Sequence, residues 1–292
     1  MNLGLGTVQF GMTYGISNQT GRVSEREAAE ILELAARESV SVIDTAPTYG
    51  ECEALLGRLL PQNHGFRIAT KTAPIQSKTI IPMNIRHVRD TFSKSLENLQ
   101  QSQIDCLLVH HSDELLRPGG ELLVDLLQDL TRQNLVKHIG ISVYTAEQID
   151  RCLAIFKPGV VQAPINVLDQ RLIRSGHLAK LKSMGIEIMA RSAFLQGLLL
   201  MDFERMTPYF HKASEAIQRF RGQLARAGAS SIEGALHFLK KQADVGTVLV
   251  GVAGTDEFRQ IVAAWKAERD LPMDLSEFAV DDEAILNPSR WP

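Results

Sequence analysis

The sequence predicts a closed (β/α)8 barrel, the TIM-barrel architecture, built as one domain over residues 1–292. Three observations carry that expectation. Eight short apolar runs recur along the chain, helix patterns with start signals lie between them, and polar residues repeatedly close the runs. The runs are "LGLGTV" at the start, "VSVID" ending at Asp44, "FRIATK" ending at Lys71 and "IDCLLVH" ending at His110. They continue with "HIGIS" ending at Ser142, "GVVQAP" around Gln162, "IEIMARS" near Arg191 and "TVLVGV" near Val252. Each is apolar on both faces, as parallel strands covered on both sides are.

Helix starts fall between the runs. Ser24-Glu25-Arg26-Glu27 is a capping box ahead of Ala28, Ile31, Leu32 and Ala35, which share one helical face. Thr145 to Gln148 is a second, ahead of Ile149, Cys152, Leu153 and Phe156, and Ser230 to Glu233 is a third, ahead of Ala235, Leu236 and Leu239. Strand and helix alternating in this way argue for a closed barrel. A doubly wound open sheet is the rival on pattern alone. No low-complexity linker splits the chain, and α/β barrels use about 200 to 250 residues or more as one domain. Two segments exceed the repeat, 198–229 and the tail after 266, and insertions of that kind are candidate lids or binding elements.

Composition narrows the partners. With 45% hydrophobic and 22% charged residues the chain has an ordinary globular make-up, and a formal net charge of -3 gives no footprint for nucleic acid or an anionic membrane. The start lacks a basic, then apolar, leader pattern, and no stretch nears the roughly 20 apolar residues of a membrane span. Cys52, Cys106 and Cys152 are sparse and without metal-like spacing, which fits reduced thiols. The expectation is a soluble cytoplasmic protein acting on a small molecule, as a monomer or small homo-oligomer.

In a barrel of this kind the functional residues sit at the C-terminal ends of the strands. Those ends supply Asp44, Lys71, His110, Ser142 and Gln162, with Tyr49 on the loop after Asp44. The residue types suggest a chemistry. A phenol is a poor acid at neutral pH, a nearby ammonium favours its phenolate, and an adjacent carboxylate keeps that ammonium charged. A histidine beside the phenol orients a substrate oxygen. Such a set protonates a carbonyl and needs a hydride source. His110-His111 with Asp113 also invites a metal reading, but alternation along a strand would send the two imidazoles to opposite faces, so no metal is expected.

The strings "IDTAPTYGE", "ATK", "LLVHH", "GIS", "VQAPINVLDQR" and "ARSAFLQGLL" resemble the aldo-keto reductase family, in order and over essentially the whole chain. The resemblance implies the (β/α)8 fold, an NADPH or NADH cofactor and reduction of an aldehyde or ketone, or the reverse. It implies a catalytic set of Asp44, Tyr49, Lys71 and His110, with Tyr49 as general acid, its pKa lowered by Lys71, and His110 placing the carbonyl. Ser142 and Gln162 match positions that hold the nicotinamide carboxamide, although Val143 stands where an asparagine is usual. Thr7, Arg191, Ser192, Phe194, Gly251, Val252, Gly254 and Thr255 complete the expected cofactor contacts, and Tyr14 and His111 the substrate pocket.

Besides Val143, the chain departs from the family pattern in three places. Arg191 replaces a tyrosine that stacks on nicotinamide; it is expected either to lie on that ring, favouring the reduced cofactor, or to pair with Asp169 or a substrate acid. Near the last strand, Val252, Ala253 and Phe258 occupy positions that grip a 2′-phosphate in NADPH-binding relatives, with Arg259 as a possible substitute and Asp256 opposing it. Met1 almost directly precedes the first strand, so the usual N-terminal hairpin under the barrel is expected to be missing, with the C-terminal tail or a partner chain closing the floor. Two readings of another class stay open: a Schiff-base lyase using Lys71, and a nicotinamide-nucleotide-binding redox sensor with weak turnover.

Overall fold

A computed structural model describes residues 1–292. Eight strands, β1 (Asn2–Gly6), β2 (Val42–Asp44), β3 (Arg67–Lys71), β4 (Ile104–Val109), β5 (Val136–Ser142), β6 (Val160–Pro164), β7 (Glu187–Arg191) and β8 (Thr247–Gly251), pair in parallel in chain order. Strand β8 returns to β1 and closes the barrel. All eight apolar runs are strands, and the open-sheet rival is excluded by the β1–β8 ladder. The outer ring holds nine longer helices, α1 (Glu25–Arg37), α2 (Cys52–Leu59), α3 (Pro82–Leu99), α4 (Gly120–Arg132), α5 (Ala146–Leu153), α6 (His177–Ser183), α7 (His211–Arg226), α8 (Ser231–Lys240) and α9 (Thr255–Lys266). No helix is long and apolar enough to cross a membrane.

The period-two alternation of a strand places the site. A buried cluster of Val42, Ala69, Cys106, Leu108, Val160, Met189 and Leu249 fills the barrel, separate from the larger core between sheet and helices. At Gly140 a Cβ would stand 2.4 Å from the Val160 carbonyl oxygen and 2.6 Å from Leu108 Cδ2, so this layer needs a residue without a side chain there. Two residues beyond this layer, the same inward face reaches the mouth of the barrel at Asp44, Lys71, His110, Ser142, Gln162, Arg191 and Gly251. An apolar plug thus supports a polar ring.

At the opposite end, an ion pair spans the barrel. Arg67, at the start of β3, donates to Glu187, at the start of β7, through two bonds of 3.0 and 2.8 Å. Thr247 adds a hydroxyl donor 3.3 Å from Glu187 Oε1. Strands β3 and β7 face each other across an eight-stranded ring, so this bidentate contact lies across the floor. The tail lies elsewhere. Tyr209 donates to the carbonyls of Ala284 and Arg290, Trp291 packs edge-on against Phe210, and Val280 N–H donates to the Leu168 carbonyl beyond β6. The expected role of the tail as a floor plug is therefore corrected: it braces the insertion after β7 at the mouth. Replacing Arg67 by Ala leaves Glu187 half-buried without its partner, which costs about 1–3 kcal/mol. A calorimetric melt of R67A should shift down by roughly 2–12 °C. An unchanged melt would mean that the pair does not hold the floor.

Candidate active site

The loop after β2 fixes the first two residues. Thr7 donates its hydroxyl to the Asp44 carbonyl (2.9 Å), and the Cys52 thiol lies 3.1 Å from Thr7 Oγ1. A turn closed by Tyr49 N–H donating to the Ala46 carbonyl then leads into α2. Thr7 is fully buried in this bracket and does not line the cavity, so its expected place among cofactor contacts is corrected to a structural one.

Lys71 Nζ donates to both carboxylate oxygens of Asp44 (2.9 Å each) and to the Thr45 carbonyl (2.8 Å). Its side chain is 2% exposed and that of Asp44 9%. Burial pushes the ammonium pKa down, but Asp44 and the Tyr49 phenol more than offset this, and the pKa lies above the ordinary lysine value. Lys71 Nζ sits 5.0 Å from the centre of the Tyr49 ring. Burial pushes the Tyr49 phenol up; Lys71 and Arg191 pull it back only in part. The expectation that Lys71 brings this pKa below the usual phenol value is thus corrected: in the free protein desolvation outweighs the pull of Lys71 and raises it.

His110 faces Tyr49 edge-on, with ring centres 6.3 Å apart. Burial first, then the positive charges of Lys71 and Arg191 and the neighbouring His111, bring its pKa down to about 3. It is a neutral imidazole at working pH, and its Nδ1 is buried without a partner. His110 and His111 are stacked, ring centres 4.8 Å apart and planes within 4°. Strand β4 ends at Val109, so alternation no longer separates the two rings, and both line the cavity.

Gln162 donates Nε2 to Asp44 Oδ1 (2.7 Å), which fixes the carboxylate and commits one of the two amide hydrogens expected to serve a cofactor. Arg191 donates to the Val143 carbonyl (3.0 Å) and to Ser192 Oγ (3.3 Å) and lies 4.2 Å from the centre of the Tyr144 ring. Its expected partner Asp169 is taken by Arg171, through bonds of 2.8 Å each. Arg191 therefore remains a cation without a carboxylate partner in the wall of the cavity. Arg259, the candidate for a missing phosphate ligand, pairs with Asp256 (2.8 Å) on the surface, with both side chains mostly exposed.

One cavity of about 580 Å³ runs from this cluster across the barrel mouth, within the usual range for a ligand site. Tyr14, His111, Ser142, Gln162, Arg191, Ser192, Phe194 and Gly251 all line it; Val252, Gly254 and Thr255 do not. Val252 is 1% exposed and belongs to the core. Its roof is made by two loops. Ile16 N–H donates to the Gln196 carbonyl (3.1 Å), and Gln196 Nε2 donates to the Tyr14 hydroxyl (2.9 Å). Gln19, with its amide oriented by the network, accepts from Arg205 of the insertion after β7. Sequence reasoning missed Tyr144, Gln9, Gln196, Arg205 and Glu257 in this lining. Tyr144 alone had a signal, following directly on the strand end Ser142.

A phenol, an ion-paired lysine and a neutral histidine thus meet at the mouth of the barrel, groups suited to acid–base chemistry on a small molecule. Comparison with known proteins agrees: the aldo/keto reductase family model matches residues 2–274, and the chain belongs to that family. It is an NAD(P)H-dependent oxidoreductase. It is 27% identical to L-galactose dehydrogenase of Arabidopsis thaliana, across 93% of this chain and 89% of that one. It is 22% identical to the NADH-specific methylglyoxal reductase of Escherichia coli K12, covering 90% and 89%. Among solved structures, the holo form of aldo-keto reductase AKR11C1 from Bacillus halodurans superimposes with a TM-score of 0.77 at 18% identity, over 99% of this chain and 95% of that one.

The cavity residues fit a nicotinamide dinucleotide. Its walls carry the buried, unpartnered Gln9 Oε1 and His110 Nδ1, polar atoms for which the protein supplies no hydrogen-bond partner.

Proposed function

We propose that the chain interconverts a polar aldehyde or ketone and its alcohol, with Tyr49 as general acid in reduction and its phenolate as base in oxidation. The observation that carries this reading is the buried Asp44–Lys71 pair set against Tyr49 and His110 at the barrel mouth. Bound reduced nicotinamide supplies the hydride. Ser142, Phe194 and Gly251 are assigned to its binding, with Arg191 and Ser192 beside them. His110, neutral, donates an N–H to the carbonyl oxygen and orients it. As the carbonyl carbon accepts hydride, its oxygen takes the Tyr49 proton, and Lys71 stabilises the phenolate left behind. Solvent then reprotonates Tyr49.

The walls favour a small, polar, hydroxylated or acidic substrate. His111, Tyr14 and Gln196 offer hydrogen bonds and Arg191 a free cation. Two relatives are named for L-galactose and methylglyoxal, both small and polar, which supports this class. Lyase chemistry is disfavoured, because all three donors of Lys71 are spent on Asp44 and Thr45 and the amine has no free lone pair.

The raised Tyr49 pKa sets opposite pH dependences for the two directions. A phenol that stays protonated keeps kcat/KM for reduction flat through neutral pH, declining only in the alkaline range. Oxidation needs the phenolate, so its kcat/KM should climb about tenfold per pH unit until the phenol ionises. Rate profiles with one carbonyl–alcohol pair, run in both directions, check this. A bell centred near neutral pH in both directions would assign proton transfer to another group.

A further inference from the structure

We propose that Glu257 and Glu27 together select the dinucleotide that carries a free ribose 2′-hydroxyl, NADH, against the 2′-phosphorylated NADPH. The proposal rests on the reading that the cavity takes a nicotinamide dinucleotide. The reactive ring must lie beside Tyr49, so the remainder of the molecule extends along the cavity. The far wall is formed by Thr20 on the roof and by Ala253 and Glu257, with Thr20 Oγ1 3.4 Å from the Ala253 carbonyl.

That wall is the start of α9, where a helix offers free N–H groups and a positive dipole end suited to a phosphate. Two carboxylates already take its amides, Glu257 from the cavity wall and Glu27 from behind it, outside the lining. Glu27, from α1, accepts from Thr255 N–H at 3.0 Å, and Glu257 accepts from Ala253 N–H at 2.7 Å. Oxygen Oε1 of Glu27 stands 2.9 Å from where a Gly254 Cβ would be, so this carboxylate is seated in the helix start itself. No protein group donates to the second oxygen of Glu257, which leaves it to accept a ribose hydroxyl. The one cation on the same turn, Arg259, is paired with Asp256 at the surface outside the cavity, so it offers no counter-charge to a phosphate. A 2′-phosphate arriving here meets like charges and finds two amide donors taken. On the roof, Arg205 is the group that would favour a phosphate, and it is bound to Gln19.

The test is calorimetric titration of the full chain with NADH and with NADPH, repeated on Glu257→Gln, Glu27→Gln and the double variant, each checked for an unchanged melt. Like-charge repulsion at a partly buried site should make wild-type NADPH binding at least about tenfold weaker than NADH. Glu257→Gln keeps an oxygen for Ala253 N–H and removes the charge, so it should narrow the ratio by about tenfold, chiefly by tightening NADPH. Glu27→Gln should narrow it less, and the double variant most. Equal or tighter binding of NADPH by the wild type would overturn the proposal. If Arg205→Gln then abolished that preference, Arg205 would be the phosphate ligand. A wild-type preference for NADH that survives both single variants and the double would also overturn it. Should one variant fail to fold, the wild-type ratio and the other variant still decide. Absence of binding by either nucleotide would instead refute the underlying dinucleotide reading.

Discussion

Tyr49→Phe should lower kcat for carbonyl reduction by about 100- to 10,000-fold while leaving nucleotide binding within a factor of about two. The substitution removes one oxygen and keeps the ring, which packs against the larger hydrophobic core beside His110. Nothing else at the mouth replaces the lost proton. Lys71 has its three hydrogens committed to Asp44 and Thr45, and His110, with a pKa near 3, holds its single proton as a neutral donor. His110 can still polarise the carbonyl, which accounts for a residual rate. Pre-steady-state transfer measured at saturating cofactor separates the two effects. A wild-type rate in Tyr49→Phe would remove Tyr49 from the mechanism.

The second large effect is on stability. Lys71→Met deletes the ammonium and leaves a buried carboxylate with Gln162 as its remaining side-chain partner. Breaking a buried pair from one side costs about 3–5 kcal/mol, against a total of about 5–15 kcal/mol for a domain. The melt should fall by roughly 6–20 °C. The double variant Lys71→Met/Asp44→Asn should recover much of the stability, because no buried charge is left unpaired, and none of the turnover, because the phenolate has lost its counter-charge. Recovery of both would mean that the pair serves packing alone. A melt unchanged in the single variant would mean that water reaches Asp44 and replaces the lost partner.

Much of this was legible in the sequence because a barrel strand has a simple code. Apolar on both faces and closed by a polar residue, the runs ending in Asp44, Lys71, His110 and Ser142 located the mouth without any knowledge of how the strands pair. Capping boxes were legible where the partners are local. Thr145 with Gln148 and Ser230 with Glu233 exchange both bonds as their spacing implies. Ser24-x-x-Glu27 shows where that code stops. Ser24 caps the Glu27 amide, but the Glu27 carboxylate leaves its own helix for Thr255, 228 residues along the chain. No local pattern encodes such a partner.

The same limit explains Thr7, Arg191 and the tail. A threonine at a strand end reads as a site residue, and only the fold shows it turned onto the Asp44 backbone beneath Cys52. Arg191 was correctly placed at the mouth, yet its stacking on Tyr144 depends on the β5 loop meeting the β7 strand end in space. The tail carries apolar residues but no periodicity that says which end of a barrel they cover; Tyr209 and Phe210 decide that. The sign of the Tyr49 shift was also hidden, because spacing reveals a nearby lysine and not how thoroughly a phenol is dried.

The most direct test mixes the purified chain with reduced nicotinamide dinucleotide and a panel of small polar aldehydes, including hydroxylated and acidic ones. Cofactor oxidation is followed by the loss of its near-ultraviolet absorbance, and the same mixtures are run with Tyr49→Phe. Aldehyde-dependent oxidation in the wild type that collapses in Tyr49→Phe, with cofactor still bound, is the predicted result. Intact cofactor throughout, together with borohydride trapping of substrate carbon on Lys71, would contradict it and assign this mouth to Schiff-base chemistry.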